Sequence, residues 1–377
     1  MAFIETKAQI ALQEATADVI AKVIAPIVAS AKPREKLSAP QLCTMYKALA
    51  PLGYIGSTIP KALGGAGLSY IDYGLMLETL AKGPVLLGEI VPPRTINYLG
   101  DPDQKKRWLP KLFSGEWVST AAITEPQAGS DMRSFTCTAT LDGNSYRVNG
   151  KKRWIKLGGV SDLMTLMVSD PKGGLTRLVV ERAQSPWESH EIESVGIKNL
   201  SFSEITFNDV RVPKENVLGA AGEGAEQFHR GIEASRAFIG IQAVGLARHG
   251  LDIAMAYAKE RIAFGRPIAK FQAIQYQIAE AATRLQAARV LCLNALSILD
   301  SGKRSPLDVS MAKLFATETA IQVCQVAMEC MGSWGLAEDA GVERCWRDCR
   351  MLTAIDGTSN IQRLIIGREL LGIPAFT

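Results

Sequence analysis

Four segments bring together residue types that could bind or react. Ala121–Asp131 (AAITEPQAGSD) sets a hydroxyl, a Gly and a Ser-Asp pair in one turn. Backbone N–H groups there could meet a phosphate or a ring edge; the plainer reading is a capped turn. Lys151–Gly159 (KKRWIKLGG) runs a Trp into a Gly-Gly turn, where it either stacks on a planar ligand or fills core. Glu260–Gln272 (ERIAFGRPIAKFQ) breaks a helix at Phe-Gly-Arg-Pro, with Arg261, Arg266 and Gln272 around the break. Arginines so placed suit a phosphate, or simply a solvated loop. Arg344–Arg363 (RCWRDCRMLTAIDGTSNIQR) carries Asp356-Gly357-Thr358-Ser359-Asn360, and as a bare pattern Asp356 reads as a helix cap.

Three regions must position these segments. Residues 5–30 lack Gly and read as helix, residues 71–98 are apolar but interrupted by Pro84 and Pro92-Pro93, and Asp101-Pro102-Asp103 signals a helix start. From about 119 the period changes to two. Cys137, Ala139 and Leu141 alternate with threonines, Asp142-Gly143-Asn144 makes a hairpin turn, and apolar strands at 163–170 and 175–182 flank Pro-Lys-Gly-Gly. From about 220 helices return: Val244, Leu251, Met255, Ala258 and Ile262 form a stripe. The expected domains are 1–118 (helical), 119–219 (β) and 220–377 (an antiparallel helical bundle). The order excludes a βαβ dinucleotide fold, and no GxGxxG follows a strand.

With 377 residues, 47% hydrophobic and 21% charged, the chain can bury a sizeable core. A net charge of +4 is too small to argue for nucleic acid or an acidic membrane surface. Seven cysteines read as free thiols packed in a reducing compartment. Cys345 and Cys349 share a helix face, but His190, His229 and His249 are scattered, so no metal site is expected. The N-terminus lacks a targeting h-region and no apolar run could span a membrane, so a cytoplasmic location is expected.

Taken in order, DPDQKKRWLPKLFSGE, AITEPQAGSD, NGKKRWI, ITFNDVRVPKENVLG, the Arg261–Gln272 segment and DGTSNIQR resemble the signatures of the acyl-CoA dehydrogenase family. The resemblance runs nearly end to end. It implies an α+β multidomain fold: an N-terminal α-helical domain, a central β-barrel domain and a C-terminal four-helix bundle. It also implies FAD as cofactor and a homotetramer as assembly.

The resemblance assigns roles by position. It puts Thr124 at the flavin edge, Ser130 near the pyrophosphate or the thioester, and Trp154 against the isoalloxazine. Arg261 and Gln272 match positions that reach the flavin of a neighbouring subunit. Thr358 and Asn360 match cofactor contacts, and Arg236 matches a buried Arg beside the catalytic loop. The family's usual base is the Glu directly before Gly-Thr-Ser; here it is Asp356, one methylene shorter. Some members place a Glu beside the buried Arg instead, but that position is Ser235, and Glu233 should face elsewhere.

Further departures stand out. Lys156 replaces a Thr or Ser that bonds flavin N5, and it either raises the flavin's potential or points away. Glu329 replaces a Gln near the adenylate half, and Ser333 replaces a Gly. Glu89 and Arg94 fall on the helix that lines the acyl pocket. Five apart, they should not share a face, and they read as surface charges or as partners of a polar acyl chain, with Arg94 a substrate-binding candidate.

The implied activity is α,β-dehydrogenation of an acyl thioester, carried by CoA or an acyl-carrier protein, with Asp356 as α-proton base and hydride passing to flavin N5. The aspartate hints at a cyclic, branched or polar acyl group. Electrons would go to an electron-transfer flavoprotein. The rival reading is a half-catalytic or scaffolding subunit of a heteromeric enzyme.

Overall fold

A computed structural model describes residues 4–32, 35–170 and 174–375. The N-terminal region is helical: α1 (Lys7–Val19), a π-turn at Ile20–Ile24, α2 (Ala25–Ser30), α3 (Ala39–Leu49), α4 (Tyr70–Leu80), α5 (Val91–Leu99) and α6 (Pro102–Phe113). Asp101 starts α6 as the sequence signals. Its side chain accepts from Gln104 N at 2.8 Å while Gln104 Oε1 accepts from Asp101 N at 3.0 Å. Pro92 and Pro93 do not interrupt a helix. They open α5, where a missing N–H costs nothing.

The central domain is a curled sheet of β1 (Ser119–Ala122), β2 (Thr138–Asp142), β3 (Ser145–Lys156), β4 (Leu163–Ser169), β5 (Leu175–Glu181), β6 (Glu188–Glu191) and β7 (Phe202–Pro213). The strand order is β1-β4-β2-β3-β7-β6, with β5 on the other side of β4. Asp142 pairs with Ser145 across a two-residue turn in which Gly143 takes φ +62°. Strands β4 and β5 are buried on both faces because one face meets the sheet's own core and the other meets helices. Three residues of the Pro-Lys-Gly-Gly turn, 171–173, lie outside the described residues.

The C-terminal region begins with α7 (Gly224–Glu260), then a hairpin of β8 (Ile262–Ala263) and β9 (Arg266–Pro267), then α8 (Gln272–Asp300), α9 (Pro306–Met331), α10 (Val342–Leu352) and α11 (Ser359–Leu371). Helices α7, α8 and α9 pack along one another, α10 closes on α7 and α9, and α11 lies on α9. Ile262 departs from the expected stripe. It lies past the end of α7, in β8, and is exposed. Helix α4 packs on α7 and α8, so the two helical regions share one core that the sheet abuts.

Candidate active site

The turn between α10 and α11 holds the main acid. Asp356 and Gly357 take φ +52° and +94°, two left-handed residues in a row. Asp tolerates this region better than most residues, and Gly does so freely. Asp356 does not cap the helix. Thr358 does, accepting from Ile361 N at 3.3 Å.

Three successive carbonyls of this turn are held by buried side chains. Lys313 of α9 donates its ammonium to Ile355 O and to Gly357 O, each at 2.5 Å. Arg236 of α7 donates Nε to Asp356 O at 3.1 Å. Gln362 donates to Gly357 O at 2.9 Å. Among the described residues no donor is hydrogen-bonded to the Asp356 carboxylate. Burial pushes that carboxyl above its ordinary range. Lys313 opposes the rise, Glu89 adds to it, and Arg236 and Arg94 oppose it.

Glu89 and Arg94 are not surface charges. Glu89 lies before α5 rather than on it, so the helical-face argument does not apply. Arg94 Nε donates to Glu89 Oε1 at 2.8 Å, and the two side chains are 17% and 8% exposed. Arg94 also donates to Gly231 O at 2.7 Å and to Ser235 Oγ at 2.6 Å, tying α5 to α7. Glu233 indeed faces elsewhere, toward Arg304.

Lys156, at the end of β3, points into this cluster rather than away. A Cβ on Gly88 would lie 3.1 Å from its ammonium and 3.0 Å from Gln242 Oε1, so the Lys156 head group packs tightly against this glycine. Burial pushes the ammonium down; Asp356 and Glu89 hold it up in part.

The sheet supplies the rim. Glu125 and Lys152 form a fully buried ion pair at 2.8 Å. Lys152 also donates to Ile123 O at 2.7 Å, and Glu125 accepts from Thr136 N at 2.7 Å and Cys137 N at 3.1 Å. This pair fixes the TEPQAGSD turn to β3, and Arg153 N donates to Thr124 O at 2.8 Å. Thr124 and Trp154 thus share one edge, while Ser130 is exposed on the same turn. A β-bulge between Lys152 and Ile155 puts Trp154 at φ +64° and leaves it 47% exposed, so it is a shelf rather than core.

Arg261 and Gln272 lie apart from the Asp356 turn, whereas Thr358 and Asn360 follow it directly. Arg261 lines a cavity of about 680 Å³ with Phe264, Glu329, Ser333 and Trp334. Gln272 opens α8 beside it and is exposed. From Arg236 to Arg261 is 25 positions, nearly all helical, or roughly 37 Å along α7 at ~1.5 Å per residue. Thr358 and Asn360 are exposed at the start of α11, Asn360 accepting from Arg363 at 3.0 Å.

Sequence reasoning missed Lys313, Gln362, Glu125 and Lys152. Lys152 had a signal: it sits in the inward register of β3 with Tyr146 and Val148. Lys313, a lone cation in an apolar helix, had a weaker one.

Three family descriptions match in sequence: "Acyl-CoA dehydrogenase, N-terminal domain" over residues 6–116, "middle domain" over 120–210 and "C-terminal domain" over 222–371. The chain belongs to the acyl-CoA dehydrogenase family. Acyl-CoA dehydrogenases and related reductases recur among its relatives, and it is an oxidoreductase. It is 36% identical over 334 residues to cyclohex-1-ene-1-carbonyl-CoA dehydrogenase of Syntrophus aciditrophicus (strain SB), covering 85% of this chain and 81% of the relative. It is 33% identical over 345 residues to the CarC subunit of the caffeyl-CoA reductase-Etf complex of Acetobacterium woodii, covering 86% and 88%. The glutaryl-coenzyme A dehydrogenase glutaryl-CoA complex superposes with a TM-score of 0.92 at 31% identity, over 99% of this chain and 97% of that one. The three-domain fold seen here is that family's fold.

Proposed function

We propose that this acyl-CoA dehydrogenase family member removes hydrogen across the α,β bond of an acyl thioester, with Asp356 taking the α-proton. The observation that carries this is the turn itself: its carbonyls are clamped while the carboxylate stays free, half-buried and raised toward the range of a useful base. The shorter side chain calls for an acyl group that approaches closely, and a ring, branched or polar acyl group is the class to test.

The chain fits a flavin. Trp154 offers a half-exposed ring, Thr124 lies on the same edge, and Lys156, two residues further along β3, brings a cation within electrostatic reach of Asp356 and Glu89. FAD bound there would supply the hydride acceptor. Lys156 and the rim residues orient the thioester, and Asp356 takes the proton. In the direction of reduction the same carboxyl returns the proton to the α-carbon.

The span of about 37 Å between Arg236 and Arg261 favours a flavin contacted by two copies of the chain, one through Asp356 and the other through the hairpin. That supports a homo-oligomer, with a tetramer as the proposed state. An electron-transfer flavoprotein is the proposed acceptor, since a relative works in such a complex.

The test is a panel of straight, branched, cyclic and ω-carboxy acyl-CoA esters, with a dye acceptor, on wild type and Asp356→Asn. Turnover by wild type and its loss in the variant is the expected result. Undiminished turnover in the variant removes Asp356 as base. A purified chain that is colourless and binds no flavin favours the heteromeric-subunit reading instead.

A further inference from the structure

Strand β5 carries a guanidinium that meets no anion among the described residues. Its alternation is clear: Leu178 and Val180 enter the sheet's core, whereas Leu175 and Val179 face the helices. Leu175 packs beside Ala225 and Phe228 of α7. Arg177 lies between Leu175 and Val179 on that helical side and is 8% exposed.

Arginine is almost never buried without a carboxylate or several acceptors around its five donors. Among the described residues, Arg177 has no ion pair and its guanidinium makes no hydrogen bond. The contrast with Arg94 is informative. Arg94 reaches the same seam from α5, but Glu89, Gly231 O and Ser235 Oγ occupy it. Arg177 feels Arg94 as a like charge, and burial together with that charge pushes its guanidinium down to about 10. The folded chain thus keeps a desolvated cation beside a second one that is already spoken for.

We propose that Arg177 binds an oxyanion of the thioester substrate at the seam of β5, α5 and the first turns of α7. This rests on the thioester reading above. A planar guanidinium suits a carboxylate or a phosphate oxygen pair, and burial strengthens the contact. Two parts of such a substrate carry this chemistry: a carboxylate at the far end of the acyl group, or a phosphate of the carrier.

Equilibrium titration of holoenzyme separates them. The probes are adipoyl-CoA, hexanoyl-CoA and the adipoyl thioester of N-acetylcysteamine, which has no phosphate. If the acyl carboxylate is bound, Arg177→Met weakens both adipoyl probes by roughly tenfold to a hundredfold, the worth of a charged hydrogen bond, and spares hexanoyl-CoA. If a phosphate is bound, both CoA esters weaken and the N-acetylcysteamine thioester does not. Ligand-free Arg177→Met should melt at or above wild type, since an unpaired buried charge is removed.

Equal affinities for all three probes in variant and wild type would overturn the assignment. So would a lower melting temperature with unchanged affinities, which marks a structural role. Should Arg177→Met not fold, Arg177→Gln carries the same titrations. A wild type that binds none of the probes overturns the thioester reading and this proposal with it.

Discussion

Arg236 binds Asp356 through the backbone: its Nε donates to the carbonyl oxygen at 3.1 Å and leaves the carboxylate alone. The nearby cation therefore fixes where the acid points without tying up its oxygens. A salt bridge would have spent the charge and lowered the pKa; this arrangement leaves the half-buried carboxylate without a hydrogen-bond donor among the described residues.

Asp356→Asn should lower turnover by roughly a hundredfold to ten-thousandfold, the usual worth of a positioned base. Its effect on stability should be opposite in sign. A carboxyl whose pKa rises on folding favours the fold in its neutral form. That contribution is complete below the ordinary value of 3.8 and is lost as pH climbs through the raised one. The amide stays neutral, so at pH ~7 the variant should melt at or above wild type in calorimetry. Asp356→Glu, with its longer reach, should keep measurable turnover.

Two neighbours should move the acid limb of the pH–rate profile in opposite directions. Lys313→Met removes a cation that holds the Asp356 carboxyl down, so the limb shifts to higher pH. Glu89→Gln removes an anion that raises it, so the limb shifts to lower pH. Shifts of the same sign in both profiles would contradict the cluster described here.

Lys313 also has a signature of its own. Burial pushes its ammonium down from 10.5 to about 8, so between these values the unfolded chain binds more protons than the folded one. Wild-type stability should gain a contribution as pH rises through that window, and Lys313→Met should lack it. The variant should lose kcat more than KM, because the carbonyls of Ile355 and Gly357 lose their clamp.

Breaking the buried Glu125–Lys152 pair from one side should cost about 3–5 kcal/mol in urea unfolding. Glu125→Gln combined with Lys152→Met should cost less than the sum of the two. Burial alone would raise Glu125, but Lys152 and the N–H groups of Thr136 and Cys137 outweigh it and hold the carboxyl below its usual range. Its contribution is present above the ordinary value of 4.5 and fades as pH falls through the lowered one.

Phe264, at the tip of the β8–β9 hairpin, is 95% exposed. If that tip packs on a second copy, Phe264→Ser should shift light scattering toward smaller species at low protein concentration. An unchanged distribution would place the subunit contact elsewhere.

Much of this protein is written in short-range patterns. The Asp101 cap, the Asp142–Ser145 hairpin and the break at Phe264-Gly265 each depend on residues within a few positions of one another, and such rules can be read along the chain. Asp356 is different: as a local pattern it reads as a helix cap, and only the family resemblance, through its place before Gly-Thr-Ser, marks it as a base. Its surroundings are not written locally either. Lys313 meets Asp356's turn across more than forty residues, Arg236 across 120, and Lys152 finds Glu125 only because β3 keeps its inward register until the bulge. Glu89 and Arg94 looked separate on a helical wheel, yet they pair because Glu89 lies before the helix begins. Arg177 lies in a segment that reads simply as an apolar strand; that it is buried, and unmatched among the described residues, follows only from how β5 lies against α7. Local backbone preferences fix elements and turns. Which charges share a desolvated space is decided by the packing of distant elements, because an ion pair's worth depends on what surrounds it and not on its spacing in sequence.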